Sequence, residues 1–206
     1  MQKMERMQLV LASNNRGKLD ELQDLFAPLG VELVAQGALG VPESPEPYRT
    51  FVENALAKAR NAAQHTGLPA LADDAGLCVN AFGGLPGVDT AFYATQFGYP
   101  KGDGHNVSAL LEQMQGQTDR RAALVSTLVA LRSADDPEPL IAVGRAAGEI
   151  TRERIGANGF GFDPVLWIPA LGKTFAQLDP AVKNVHSHRG QAAQLMLALM
   201  RERWFA

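Results

Sequence analysis

The chain has 206 residues, 46% of them hydrophobic and 20% charged, enough apolar material for one sizeable core and a single domain with room for two lobes. Its formal net charge of -3 argues against a protein that coats nucleic acid or an anionic membrane, while leaving room for a local basic pocket that takes a small anion. The single cysteine, Cys78, excludes an intrachain disulfide and a cysteine metal knuckle; it reads as a small buried hydrophobe and fits a reducing compartment.

Residues 1–6 are polar and carry no apolar stretch of the signal-peptide kind, and no later run reaches transmembrane length, so a soluble cytoplasmic protein is expected. Leu9, Val10, Leu11 and Ala12 then predict a short buried strand. The polar turn Ser13-Asn14-Asn15-Arg16-Gly17 follows. After it Leu19, Leu22, Leu25, Phe26 and Leu29 recur at helical spacing as far as Gly30, so the first unit reads strand, polar loop, helix. Residues 36–50 predict a loop rich in Gly and Pro. Thr50 and Glu53 match a capping box at the start of a second helix. Its apolar face is Phe51, Ala55, Leu56, Ala59, Ala62 and Ala63, and Gly67 and Pro69 stop it.

Ala70-Leu71-Ala72 predicts a strand that runs into Asp73-Asp74, and residues 78–82 a separate short strand. Residues 83–87 form a turn, and Val107, Leu110, Leu111 and Met114 mark a third helix closed by Gly116. Residues 122–131 and 140–143 read as paired strands, 148–154 as a third and 165–168 as another. A last helix starts near Ser187 with Ala192, Leu195, Met196, Leu199 and Met200 on one face. The alternation implies an α/β fold with a mixed sheet and helices on both sides. The hairpin-rich stretch suggests a second lobe over roughly residues 84–155 of one catalytic domain.

Five groups of residues could carry chemistry, each with a plainer alternative. Ser13 to Lys18 place backbone N–H groups and a lysine at a helix N-terminus, which suits phosphate; a capping turn with a solvated lysine is the alternative, and the glycine spacing of a Walker loop is absent. Asp73 and Asp74 at a strand end suit Mg²⁺, which takes one or two carboxylates with substrate phosphate oxygens, or one of them could deprotonate a water; a capping turn is the rival. Glu46, Glu53 and Asn54 are further candidates near such a site, although the cap already accounts for Glu53, and Lys58, one turn beyond Asn54, either reaches a triphosphate or faces solvent. Phe160-Gly161-Phe162-Asp163 offers either a stacking platform for a base or two rings for the core. Lys183, His186, His188 and Arg189 gather donors at a helix start, for an anion or a carbonyl oxygen or simply for solvent.

Six segments in order give a resemblance: residues 11–18, 50–55, 72–77, 83–87, 159–164 and 187–190. Together they resemble the inosine triphosphate pyrophosphatase, or RdgB/Ham1-like, family over nearly the whole chain. The resemblance implies an elongated two-lobed α/β fold with the active site in the cleft, typically a homodimer. The expected reaction is Mg²⁺-dependent hydrolysis of deaminated purine nucleoside triphosphates (ITP, dITP, XTP) to the monophosphate and pyrophosphate, cleansing the nucleotide pool. It also implies that Ser13, Asn14, Asn15, Arg16, Gly17 and Lys18 hold the triphosphate with Lys58, and that Asp74 is the catalytic carboxylate and a metal ligand, supported by Asp73 and by Glu46 or Glu53. Phe160 would stack on the purine, Gly161, Phe162 and Asp163 would line the pocket, and Lys183, His188 and Arg189 would read the base edge.

Three departures stand out. Asn14 replaces the family's usual glycine, and because asparagine tolerates left-handed backbone the turn is expected to survive. Ala75 replaces a serine or threonine, removing a hydroxyl contact to substrate. The Pro-rich segment 42–47 differs from the usual one, and Glu46 is taken as its metal-binding glutamate by position. Two alternatives to this reading are a Maf-like nucleotide pyrophosphatase and a non-catalytic purine-nucleotide sensor.

Overall fold

The computed structural model describes residues 7–205, so the polar opening segment 1–6 lies outside the described residues. Seven strands form one sheet in the order β2-β1-β3-β4-β5-β6-β7: β1 Met7–Leu11, β2 Val31–Ala35, β3 Ala70–Val79, β4 Arg121–Leu131, β5 Leu140–Ile150, β6 Leu166–Ile168 and β7 Lys173–Thr174. The helices are α1 Arg16–Phe26, α2 Phe51–Thr66, α3 Asp103–Gln113, α4 Pro180–His186 and α5 His188–Arg203. Strand β1 pairs in parallel with β2 and β3, whereas β6 pairs antiparallel with β5 and β7, so the sheet is mixed as expected.

The chain divides into two compact units. The first is Met1–Asp74, Ser126–Gly144 and Arg189–Ala206, and the second is Ala75–Val125 and Arg145–His188. In the first unit Leu9 and Leu11 of β1 pack with Leu22 and Phe26 of α1, Leu128 of β4 and Met196 and Met200 of α5. The alternate residues Val10 and Ala12 pack with Ala55, Ala59 and Ala62 of α2. Period-2 alternation of a strand buried on both faces explains why β1 reads as a continuous apolar run. The second unit has its own core of Leu77, Val79, Leu110, Phe162, Val165 and Phe175.

Several expectations are corrected. β2 follows α1 through a short 3-10 turn, Ala27–Leu29, and its alternating Val31 and Leu33 are buried. Residues 70–82 hold one ten-residue strand rather than two. Asp73 and Asp74 stay in the ladder because their carboxylates find cationic partners, and residues 80–82 turn into a 3-10 helix. β5 continues to Ile150, absorbing the start of the strand expected at 148–154. A 3-10 helix at Gly87–Phe97 and the short α4 carry no strong sequence period. On α5, Leu195 is exposed and Ala193 and Leu197 complete the buried face. Cys78 is half-buried rather than buried.

Candidate active site

In the first unit, Asn15 caps α1 by accepting from the Lys18 backbone N–H at 3.1 Å, and Ser13 Oγ accepts from the Asn15 N–H at 3.1 Å. Both side chains thus shape the loop that opens the helix N-terminus. Arg16 is exposed and Gly17 is half-buried in the first turn. Asn14 does not adopt left-handed backbone: among the described residues only glycines have positive φ. Its carboxamide instead reaches across to residues 37 and 43, accepting from the Gly37 N–H at 2.9 Å and donating to Glu43 at 3.3 Å. A Cβ on Gly37 would lie 2.5 Å from Asn14 Oδ1, so this approach requires glycine there.

Neighbouring residues of a strand point to opposite faces, and the two aspartates are treated accordingly. Asp73 is locked by protein groups: Oδ1 accepts from Ser126 Oγ at 2.6 Å, while Oδ2 accepts from Arg189 Nε at 2.9 Å and faces Lys18 Nζ at 3.1 Å. Burial works to raise its carboxyl, but the Arg189 guanidinium, Lys18 and the Ser126 hydroxyl outweigh burial and hold it well below the usual carboxylate range. Arg189 also donates from Nη1 to Glu21 at 2.6 Å. Two carboxylates therefore overcome the effect of its burial and raise it above its ordinary value.

Asp74 faces a different environment. Its Oδ1 accepts from Lys58 Nζ at 2.7 Å, and Lys58 also donates to Glu46 Oε2 at 2.9 Å. Its Oδ2 is buried with no hydrogen-bond partner among the described residues. Burial pushes the Asp74 carboxyl up, against Lys58 and with the help of the Glu46 charge. Burial alone would lower the Lys58 ammonium, but Asp74 and Glu46 raise it. Lys18 ends below its ordinary value, because burial and the nearby Arg189 and Lys58 charges outweigh Asp73. Both ammonium groups converge on the Asp73 carbonyl, Lys18 at 3.1 Å and Lys58 at 3.4 Å.

The four carboxylates expected to bind metal are therefore not gathered as one set. Asp73 is consumed by the ion network, and exposed Glu53 accepts from its capping Thr50 hydroxyl at 2.5 Å. Among the described residues no group of three or more His, Cys, Asp or Glu side chains forms a metal cage. What remains is Asp74 with a partnerless buried oxygen and Glu46 on the same ammonium. Two carboxylates are a sufficient protein share for Mg²⁺, which dehydrates reluctantly and takes phosphate oxygens from its substrate. The donor set fits that ion.

In the second unit, Asp163 organises the aromatic loop. Its Oδ2 accepts from the Phe160 N–H at 2.9 Å and from Lys183 Nζ at 2.6 Å, and Lys183 Nζ sits 4.7 Å from the centre of the Phe160 ring. A Cβ on Gly159 would fall 2.1 Å from Asp163 Oδ2. Gly161 donates its N–H to Asp103 at 2.9 Å. Phe162 is a core residue at 3% exposure, whereas Phe160 is half-buried and keeps part of its ring exposed. Lys183 and His188 are buried and Ala75 is half-buried in β3, while His186 is exposed. Sequence reasoning missed Ser126, Glu21 and Asp103. Ser126 had a signal, a buried hydroxyl interrupting the apolar run of β4; Glu21 and Asp103 looked like ordinary helix-surface acids.

A model described as the Ham1 family matches residues 9–199. The chain belongs to the Ham1 family. A relative from Paracidovorax citrulli, named dITP/XTP pyrophosphatase, is 74% identical over 199 residues, covering 97% of this chain and 100% of that one. A relative of the same name from Leptothrix cholodnii is 56% identical, covering 96% and 99%. Among solved structures, a HAM1 protein from Coxiella burnetii superposes with a TM-score of 0.86 at 43% identity, covering 95% of this chain and 99% of that one. Membership of the Ham1 family removes the Maf-like alternative.

Proposed function

We propose that this Ham1-family protein hydrolyses deaminated purine nucleoside triphosphates (ITP, dITP and XTP) to the monophosphate and pyrophosphate with Mg²⁺, in the cytoplasm and as a homodimer. The observation that carries the reading is the buried, partnerless Oδ2 of Asp74 beside two converging ammonium groups. A dimer would cover part of the exposed apolar surface, which includes Leu85, Phe92 and Val185. No helix of the described residues is long and apolar enough to cross a membrane.

Phosphoryl transfer asks mainly for positioning and charge stabilisation. The Ser13–Lys18 loop and the α1 N-terminus receive the triphosphate, and Lys18 and Lys58 stabilise the charge that builds on the departing pyrophosphate. Mg²⁺ held by Asp74 and Glu46 would supply neutralisation of phosphate charge and a more acidic water. Asp74 aligns the attacking water on the α-phosphorus and takes up its proton. Asp73 acts from behind, fixing the lysines through its carbonyl and carboxylate.

For the base, the proposed platform is the aromatic loop. Phe160 offers its half-exposed ring to the purine, and the Lys183 ammonium, held over that ring by Asp163, is a group that only donates hydrogen bonds. A 6-oxo group satisfies such a donor, whereas the 6-amino group of adenine sets donor against donor. Turnover of ITP in water labelled with heavy oxygen tests the reaction. The label is expected in IMP, with unlabelled pyrophosphate; release of IDP and single phosphate would overturn the mechanism.

A further inference from the structure

Residues 42–48, the segment that carries Glu46, contain no regular secondary structure and, among the described residues, make no backbone–backbone hydrogen bond. No side chain in this strap is fully buried; Val41, just before it, is the nearby apolar anchor. Something else must hold Glu46 at Lys58. Asn54, Lys58 and Asn61 lie at i, i+4 and i+7 of α2 and so form one stripe. Each engages the strap, in reverse order. Asn54 Oδ1 accepts from the Tyr48 N–H at 3.0 Å and its Nδ2 donates to the Tyr48 carbonyl at 3.1 Å. Lys58 holds Glu46 at 2.9 Å, and Asn61 Nδ2 donates to the Pro42 carbonyl at 2.8 Å. Seven helical residues rise about 10 Å, while six residues of extended chain would span about 20 Å. The strap is therefore bowed between its two asparagine tethers, with Glu46 drawn in at the bow.

We propose that Asn61, with Asn54, is a positioning residue that fixes the bow of the strap and so presents the Glu46 carboxylate beside Asp74. The inference rests on the metal and phosphate reading of the site and extends it to groups that touch neither. Tethers of this kind act on ordering rather than on chemistry. Removing one loosens a segment with little apolar burial, the sort that opens locally without global unfolding. Glu46 then spends less time in place, and the ion is bound more weakly while the saturated enzyme turns over as before.

The test uses Asn61→Ala, Glu46→Gln and the double variant in the full chain. Hydrogen exchange of the metal-free protein is expected to be faster at the Tyr48 amide, the strap N–H that Asn54 holds, in Asn61→Ala, with an unchanged melting temperature. The Mg²⁺ concentration for half-maximal activity should rise about tenfold, the usual scale for a residue that orients a ligand, with kcat at saturating Mg²⁺ within about twofold. Because Asn61 acts through Glu46, the double variant should be no worse than Glu46→Gln alone. Unchanged exchange at the Tyr48 amide, or effects that multiply in the double variant, would overturn the proposal. A failure of the unaltered protein to release pyrophosphate would instead overturn the parent reading, and the exchange measurement still decides the tether.

Discussion

Replacing Asp74 by asparagine is expected to lower turnover of ITP by about 10² or more, the scale for loss of an acid–base or metal-binding group, without unfolding the protein. The change is nearly isosteric and removes a charge that burial disfavours. A carboxyl raised in the folded state is protonated more readily there than in the unfolded chain. Its ionised form therefore detracts from stability above the unfolded value, and a neutral side chain forfeits nothing on that account. Lys58 keeps Glu46 as a counter-charge. Melting temperature and kcat measured on the same preparation check the prediction: a folded variant with near-normal turnover at saturating Mg²⁺ would remove Asp74 from the chemistry.

Arg189→Ala is expected to act in the opposite way, on stability first. The guanidinium is buried between Asp73 and Glu21, and truncation leaves the Asp73 carboxylate in the interior with Lys18 and Ser126 alone. Breaking a buried ion pair from one side costs about 3–5 kcal/mol, which in a chain of this size lowers the melting temperature by roughly 6–20 °C. This differs from the base-reading role that the sequence resemblance implies for Arg189. A variant that melts within a degree or two of the parent but changes the ranking of ITP over ATP would restore that role.

Asp74 and Arg189 differ in how far each was legible in the sequence. Apolar periodicity located β1, α1 and α2, because each buries a regular face or run, and it located the loop and helix N-terminus that bring Ser13, Asn15 and Lys18 together. It located the Asp73-Asp74 pair but not its division of labour. That division follows from strand alternation, which sets the two side chains on opposite faces, and from which cations each face meets. Those cations arrive from positions as distant as Arg189, in a contact that no local pattern encodes. The same holds for Glu46, whose place at Lys58 depends on tethers from Asn54 and Asn61 to a segment without periodicity. β2 was missed because five residues of alternation after a helix end give a weak signal, and Phe160 and Phe162 were separable only once the second core was visible.

The proposed activity is selective for a 6-oxo purine triphosphate and cleaves it at the α-phosphorus. A panel of ITP, dITP, XTP and ATP at saturating Mg²⁺, scored as kcat/KM with pyrophosphate and single phosphate release measured separately, tests it most directly. Pyrophosphate release from ITP, dITP and XTP is expected to be at least about 100-fold more efficient than from ATP, since a donor facing the base edge, as proposed for Lys183, would leave the adenine amino group unpaired. Comparable efficiency on ATP, or single phosphate as the product, would contradict it.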